Sequence, residues 1–373
     1  MKFVYLFSAA SGNLGDDLIT IAWIDRIISR NNQVHIFVDC VNPDSFTELL
    51  VRTGRSSRVS VVGYIWRLIA EFASPWWDQH CRLNQILNAY ERPDLIRLGS
   101  ILRDCHYMHF LGGGYANAIW PQNLHAITIA AFFKKRFSFS LYWTGASVHP
   151  VPVVHLFDVA SAINSFDRIT TRDEQSRAAL SDWSSRVECT CDDLFMLHER
   201  LKILTSSKRY LFLNHQSDLR DIGFFIDKIK SLVFVAGDDR FVPVYLEGFL
   251  DSDRRAGELI KLYCPRCVII GHDELAASLL VGGFDVGCGS HAIVSRFHLH
   301  MILAQAGVTG QFISPDTDYY KNKHDLLRGH GSPFTRFDTS IQDGVSCGFD
   351  VKALCELKVS EADLILDSLG HAK

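Results

Sequence analysis

The chain has no excess of positive charge: 38 Lys and Arg against 42 Asp and Glu leave a net charge of -4. That balance lacks the electrostatic footprint of a nucleic-acid binder. It has no apolar run long enough to span a bilayer, no internal repeat and no low-complexity stretch. Its ten cysteines are scattered without a framework spacing, the pattern of a reducing compartment rather than of a secreted scaffold. Cys264-Pro265-Arg266-Cys267 is an isolated CxxC, and Cys189-Thr190-Cys191 is closer still. A structural zinc site needs four ligands in suitable pairs, so these read as plain thiols and no metal is expected. Lys2 followed by Phe3 to Ala10 resembles a short signal peptide, but Gly12-Asn13-Leu14-Gly15-Asp16-Asp17 follows at once. A buried first strand leading into a functional turn accounts for both. The expectation is a cytoplasmic protein, at most resting on the inner face of the membrane.

What is present is an alternation of short apolar runs and helix-like segments. Runs at Phe3 to Ser8, Val34 to Val38, Tyr107 to Leu111, Phe139 to Trp143 and Arg168 to Thr171 read as strands, with a first helix from about Asp17 to Ser29. The pattern restarts with Tyr210 to Leu213, Val242 to Leu246, Val268 to Ile270 and Ile293 to Ser295. Short apolar runs separated by helices argue for parallel sheets covered on both faces. The 373 residues and 47% apolar content suffice for two such cores. The fold class is therefore α/β: two doubly wound, Rossmann-like domains, residues 1–200 and 201–373, facing a cleft. Ligands of such sheets bind beyond the carboxyl ends of the strands. Residues 63–93 carry Trp66, Trp76 and Trp77. They read as packed helices with tryptophan in their core, or as an interfacial excursion toward an acceptor.

The chemistry-bearing residues fall at the predicted strand ends. Ala292-Ile293-Val294 leads into Ser295-Arg296-Phe297-His298-Leu299-His300, and a buried-helix pattern follows. The first turn of a helix favours anions. Arg296 adds a planar fork of donors there, and His298 a group that exchanges protons near neutral pH. His298 and His300 are two apart on a helix and point to different faces, which argues against joint metal ligation. Gly12 to Asp17 allows a tight turn. It lacks the third glycine of a dinucleotide fingerprint, and it places Asp16 and Asp17 where a carboxylate either caps a helix or takes a proton from a sugar hydroxyl. Gly112-Gly113-Gly114 follows another strand and reads as a nest of N–H groups for an anion or as a flexible turn. Tyr115, Asn117 and Trp120 behind it suit a sugar ring, as does Asn13 in the first turn. Arg172 heads Arg172-Asp173-Glu174-Gln175-Ser176 as a second anion ligand, or as an ordinary salt bridge to Asp173 or Glu174. Lys323, in Tyr320-Lys321-Asn322-Lys323, is a further cation or a solvated surface residue.

Taken in order, these segments resemble the polysaccharide pyruvyl transferase family. That family shows a GNxGD-like segment, a GGG turn, R-D-x-x-S, a D-P-x-F-like element, R-x-H and Y-x-x-K. This chain has Gly12 to Asp16, Gly112 to Gly114, Arg172 to Ser176, Asp192-Asp193-Leu194-Phe195, Arg296-Phe297-His298 and Tyr320 to Lys323. It departs from the pattern at Asp193, where the family usually has proline, and at Thr309, where a glycine-valine-proline stretch usually continues. The resemblance implies a GT-B-like pair of Rossmann-like domains. It also implies a reaction in which phosphoenolpyruvate gives its three-carbon skeleton to a sugar as a cyclic ketal and phosphate leaves, with no cofactor. Arg296, His298 and Arg172 match positions linked to the donor.

The residues suit that chemistry. A small molecule carrying a carboxylate and a phosphate needs several cations or N–H donors, which Arg296, Arg172, Lys323 and Gly112 to Gly114 can supply. His298 suits protonation of the enol methylene, and Asp16 or Asp17 suits removal of the hydroxyl proton. The acceptor is a sugar of a polysaccharide or of a lipid-linked precursor. A nucleotide-sugar glycosyltransferase of the same architecture, and an inactive glycan-binding assembly protein, are the alternatives.

Overall fold

The apolar runs of the first half pair edge to edge because each is buried on both faces. In the computed structural model, which describes residues 2–73, 75–216, 222–223, 225–227, 241–250, 252–314, 318–337 and 348–367, β1 (Lys2–Phe7), β2 (Val34–Asp39), β3 (Val59–Val62), β4 (Cys105–Phe110), β5 (Ser140–Ala146), β6 (Arg168–Thr171) and β7 (Val187–Cys189) form one parallel sheet. Its order is β3-β2-β1-β4-β5-β6-β7. The order reverses between β1 and β4, the kind of switch point at which doubly wound folds bind ligands. Tyr5, Phe7, Phe110 and Trp143 are almost fully buried in this unit's core. The helix Leu14–Arg30 is apolar around most of its circumference, with Leu18, Ile21, Trp23 and Ile24 at 0% exposure. Each such side chain contributes about 1.5–3 kcal/mol of burial.

The tryptophan-rich segment folds as helices Tyr64–Glu71, Trp76–Ala89 and Pro93–Arg103. Trp66 Nε1 donates to the Ser8 carbonyl at 2.7 Å and Trp76 Nε1 to Asp158 at 2.9 Å. Both indoles thus pack, partly buried, against the core while satisfying their one donor.

The second sheet repeats the plan. Its strands are β9 (Tyr210–Leu213), β10 (Val242–Leu246), β11 (Val268–Ile270), β13 (His291–Val294), β14 (Thr309–Phe312) and β15 (Phe334–Arg336), all parallel, in the order β11-β10-β9-β13-β14-β15. Its reversal falls between β9 and β13. Two short strands, β8 (Ile203–Leu204) and β12 (Phe284–Asp285), pair separately.

The chain divides into two compact units. One holds residues 1–11, 16–196 and 354–373; the other holds Gly12–Gly15 and Leu197–Ala353. The sequence reading gave everything beyond residue 200 to the second domain. The last helix, Val351–Asp367, instead returns to the first unit from Leu354 onward. The physical reason is a buried ion cluster. Lys358, at 0% side-chain exposure, meets Asp193 at 2.9 Å and Glu361 at 2.8 Å, and Glu361 in turn accepts a hydrogen bond from the Thr170 hydroxyl.

Candidate functional site

In the first unit, Asp16, in the first turn of the helix after β1, meets the turn after β4. Gly113 has φ +151, a conformation side chains rarely adopt, and a Cβ there would lie 3.0 Å from Tyr115 Cδ1 and 3.3 Å from the Asp16 carboxylate. Asp16 is half-buried. Asp17 is 2% exposed, and its carboxylate accepts the Ser11 N–H at 3.2 Å, a local brace of the turn.

Two of the three glycine N–H groups are directed to partners within the protein rather than to a ligand. The Gly112 N–H donates to Asp193 Oδ2 at 3.0 Å, and the Gly113 N–H to the Gly145 carbonyl at 3.4 Å, extending the pairing with β5. The Gly114 carbonyl accepts Asn117 Nδ2 at 2.7 Å. Asn117, at 0% exposure, also accepts the N–H groups of Ile119 and Trp120, so its amide is spent holding the loop. Tyr115 is 7% exposed and donates to the Leu111 carbonyl at 3.1 Å. Burial, with the charges of Asp16 and Asp193, holds the Tyr115 hydroxyl well above the usual phenol range. Of the ring-binding candidates on this loop, Trp120 has the most exposed side chain, at 36%.

Asp193 organises this end of the sheet. Its Oδ2 accepts Trp23 Nε1 at 2.8 Å and the Thr144 hydroxyl at 2.7 Å besides Gly112, while Oδ1 faces Lys358. The Thr144 oxygen is therefore left to accept from His109 Nε2, 2.9 Å away. Burial lowers the His109 imidazole to about 3; Asp193 favours its charging and Lys358 opposes it. Burial alone would lower the Lys358 ammonium, but Asp193 and Glu361 more than reverse that and hold it above the ordinary lysine range. Arg172 is 1% exposed and pairs with Asp192 at 2.8 Å, not with Asp173 or Glu174. Asp173 instead caps the following helix by accepting the Ser176 N–H at 2.7 Å.

In the second unit, Arg296 and His298 stand beyond the carboxyl end of β13, at that sheet's reversal point. Arg296 is the N-cap of the helix Phe297–Gln305, and both side chains are half-buried. A buried polar network fixes Arg296. Asn214, immediately after β9, accepts the Arg296 N–H at 3.1 Å and donates to Asp253 Oδ2 at 3.0 Å. Asp253, at 0% exposure, accepts Arg296 Nε at 3.1 and 3.2 Å and Nη2 at 2.6 Å, and also the Gly248 N–H at 3.1 Å. The guanidinium lies 5.1 Å above the Phe249 ring and keeps 13% side-chain exposure.

A second chain of hydrogen bonds supports the strand end from behind. The Ser295 carbonyl only accepts, so His324 Nε2, 3.1 Å away, is the protonated nitrogen of that ring. His324 Nδ1 then accepts from His300 Nδ1 at 2.9 Å, and His300 Nε2 accepts the Ser332 hydroxyl at 2.7 Å. Each ring thus has a determined tautomer while both are neutral. Burial lowers His324 to about 3 and His300 well below the ordinary imidazole range. Lys323, half-buried on the helix Asp318–Gly329, adds a small downward push on His324.

The turn residues Gly12–Gly15 belong to this unit. Asn13 bridges Phe249 in antiparallel fashion, with the Leu14 N–H donating to the Gly248 carbonyl at 2.9 Å and the Leu250 N–H to the Gly12 carbonyl at 2.8 Å. Asn13 Oδ1 accepts the Gly15 N–H at 3.3 Å, so its side chain closes the turn on itself. Gly12 has φ +88, and a Cβ there would meet Leu250 Cβ at 2.8 Å.

Sequence reasoning missed Asp253, Asn214, Phe249, Lys358 and Glu361. Asn214 carries a usable signal, since it is the first polar residue after an apolar strand; Asp253 and Lys358 carry none.

Two parallel doubly wound sheets, each with its polar residues gathered at the reversal point, define a Rossmann-like fold of the GT-B class. Solved structures support this. A Staphylococcus aureus MnaA–UDP co-structure matches with TM-score 0.56 at 10% identity, covering 98% of this chain and 88% of that one. A Neisseria meningitidis UDP-GlcNAc 2-epimerase bound to UDP-GlcNAc matches with TM-score 0.53 at 11% identity, covering 100% and 95%. At such identity the likeness concerns the fold alone. No protein of curated function matches by sequence. The model of the polysaccharide pyruvyl transferase family matches residues 13–277, most of the chain. The protein belongs to that family. The match takes in the Gly12 to Asp17 turn from Asn13 onward, the glycine triplet and Asp253; Arg296 and His298 lie beyond its end.

Proposed function

We propose that the protein transfers the three-carbon unit of phosphoenolpyruvate onto two hydroxyls of a sugar, forming a pyruvate ketal and releasing phosphate. The observation that carries the reading is the pairing of a braced guanidinium, Arg296, with an imidazole, His298, at the reversal point of the second sheet in a chain of this family. Arg296 binds the doubly anionic donor. Its alignment by Asp253 and Asn214 is made before substrate arrives, which limits reorganisation on binding.

His298 donates a proton to the donor methylene, which becomes a methyl group and leaves a cationic centre at the neighbouring carbon. A sugar hydroxyl attacks that carbon and loses its proton to a base. Asp16 is our assignment for that base, because it is half-buried where its neighbour Asp17 is 2% exposed. A second hydroxyl then attacks the same carbon, the C–O bond to phosphate breaks, and the hydroxyl proton leaves with the phosphate as the ring closes. Holding donor and diol together lowers the barrier by several kcal/mol, on the order of other well-oriented reactions. Arg172 is assigned a structural task, since its charge is met by buried Asp192. No helix of the described residues is long and apolar enough to cross a membrane. The acceptor is a sugar of a polysaccharide, or of its lipid-linked precursor met at the cytoplasmic membrane face.

The test is to incubate the protein with labelled phosphoenolpyruvate and a panel of aryl glycosides, following label transfer and phosphate release, with UDP-sugars as the control arm. Transfer from phosphoenolpyruvate supports the reading. Turnover of a UDP-sugar without phosphoenolpyruvate makes the protein a glycosyltransferase, and no turnover of either kind leaves glycan binding.

A further inference from the structure

Gly15 has no conformational reason to be glycine. It lies in the first turn of the helix Leu14–Arg30, and it is absent from the positive-φ glycines, which include Gly12. Alanine is the better helix former at such a position. The reason lies in space. A Cβ on Gly15 would fall 1.7 Å from His298 Nδ1, 2.1 Å from Cγ and 2.5 Å from Cε1, inside the imidazole itself. The ring, rather than the turn, is the side that must give way to a Cβ. The turn carrying Gly15 is tied down by the Leu14 bond to Gly248, the Leu250 bond to Gly12 and the Asn13 side-chain bond. On the histidine side, the Phe297 ring lies 5.0 Å away, and the helix start is held by Asn214 and Asp253. The backbone of the first turn therefore forms a wall against which the imidazole packs.

We propose that Gly15 is a positioning residue for His298: the missing side chain is the space that fixes where the ring sits. The functional half of this rests on the reading of His298 as the proton donor. Gly15→Ala leaves the anion-binding Arg296 in place and displaces the ring. Donor affinity is then retained while kcat falls about a hundredfold, the loss expected of a 1 Å misplacement.

The experiment is a double-mutant cycle over Gly15→Ala and His298→Ala, with histidine-selective 13C NMR of the full chain. The His298→Ala spectrum identifies the His298 resonance by its loss. In Gly15→Ala that resonance is expected to shift, kcat to fall and the KM for phosphoenolpyruvate to hold. In the His298→Ala background, Gly15→Ala is expected to cost nothing further. An unchanged His298 resonance together with unchanged kcat in Gly15→Ala overturns the proposal, as does a further loss in the double variant. If Gly15→Ala fails to fold, recovery of folding in the double variant assigns the clash to the imidazole, and failure of both overturns it. Full activity of His298→Ala refutes the catalytic reading separately, because the resonance shift in Gly15→Ala still reports the contact.

Discussion

Asp253→Asn removes one negative charge and almost no volume. The carboxylate it replaces is fully buried and accepts from Arg296 Nε and Nη2, Asn214 Nδ2 and the Gly248 N–H. All of these partners are donors. The new amide offers one acceptor oxygen and presents an NH2 group to the rest, so at least one donor faces a donor. The Arg296 charge, at 13% side-chain exposure, loses its counter-ion. Removing one member of a buried pair typically costs about 3–5 kcal/mol. The residual exposure of the guanidinium puts the expected loss at the lower end, about 3 kcal/mol. Denaturant unfolding of the whole chain, followed by fluorescence and circular dichroism, measures it; where two transitions resolve, the loss belongs to one of them. The same variant should bind phosphoenolpyruvate more weakly, since Arg296 is no longer aimed. A change below about 0.5 kcal/mol, the size of an ordinary surface substitution, together with unchanged donor affinity would refute the role given to Asp253.

Lys358→Met should destabilise by about 3–5 kcal/mol, because it strands the Asp193 and Glu361 carboxylates without their shared cation; a melting temperature equal to wild type would contradict this. Acid should destabilise the protein from pH 6.5 downward. Burial holds native His109, His125 and His324 at about 3, about 4 and about 3, below their unfolded value, so the unfolded chain takes up protons that the native chain refuses. Asp39, raised to about 7 by burial, works in the opposite direction over part of that window. His300, held lower still, adds to the same side, so the imidazoles outweigh the one carboxyl and stability falls as the pH drops; a flat stability profile between pH 6.5 and 4.5 would refute it. Asp16→Asn should abolish turnover while keeping the fold. Asp17→Asn should chiefly lower stability by about 1 kcal/mol through its bond to Ser11. Equal activity of both variants would remove Asp16 as the base.

The parallel sheets were legible because burial on both faces writes each strand as a compact apolar run. Lys2–Phe7, Val34–Asp39, Arg168–Thr171 and Tyr210–Leu213 fall within a residue or two of their expected places. The strands without an expected counterpart were short or at an edge. Val59–Val62 follows the polar stretch Arg52–Arg58, and Phe334–Arg336 has three residues and ends in a charge. The last helix was unreadable in another way. Its apolar positions show that it packs, but not which sheet it covers, and the residue that decides, Lys358, has the composition of a surface lysine.

The site shows the same division. Arg296 and His298 were visible because they interrupt an apolar strand-to-helix passage. Asp253 lies in Asp251-Ser252-Asp253-Arg254, which reads as a solvated loop until the fold buries one of its acids. Gly112 to Gly114 suggest an anion nest by composition, but the N–H groups of Gly112 and Gly113 are claimed by partners at residues 193 and 145, far away in sequence. Gly15 was read as part of a turn, whereas its role depends on an imidazole more than 280 residues later in the chain.

The most direct test of the central claim is a comparison of wild type and His298→Ala with phosphoenolpyruvate and an accepted aryl glycoside in deuterated water. The account predicts that the wild type releases phosphate and forms a ketal whose methyl group carries solvent deuterium, and that His298→Ala binds phosphoenolpyruvate with near wild-type affinity yet forms ketal only at a small residual rate. Ketal formation by His298→Ala at the wild-type rate would contradict it.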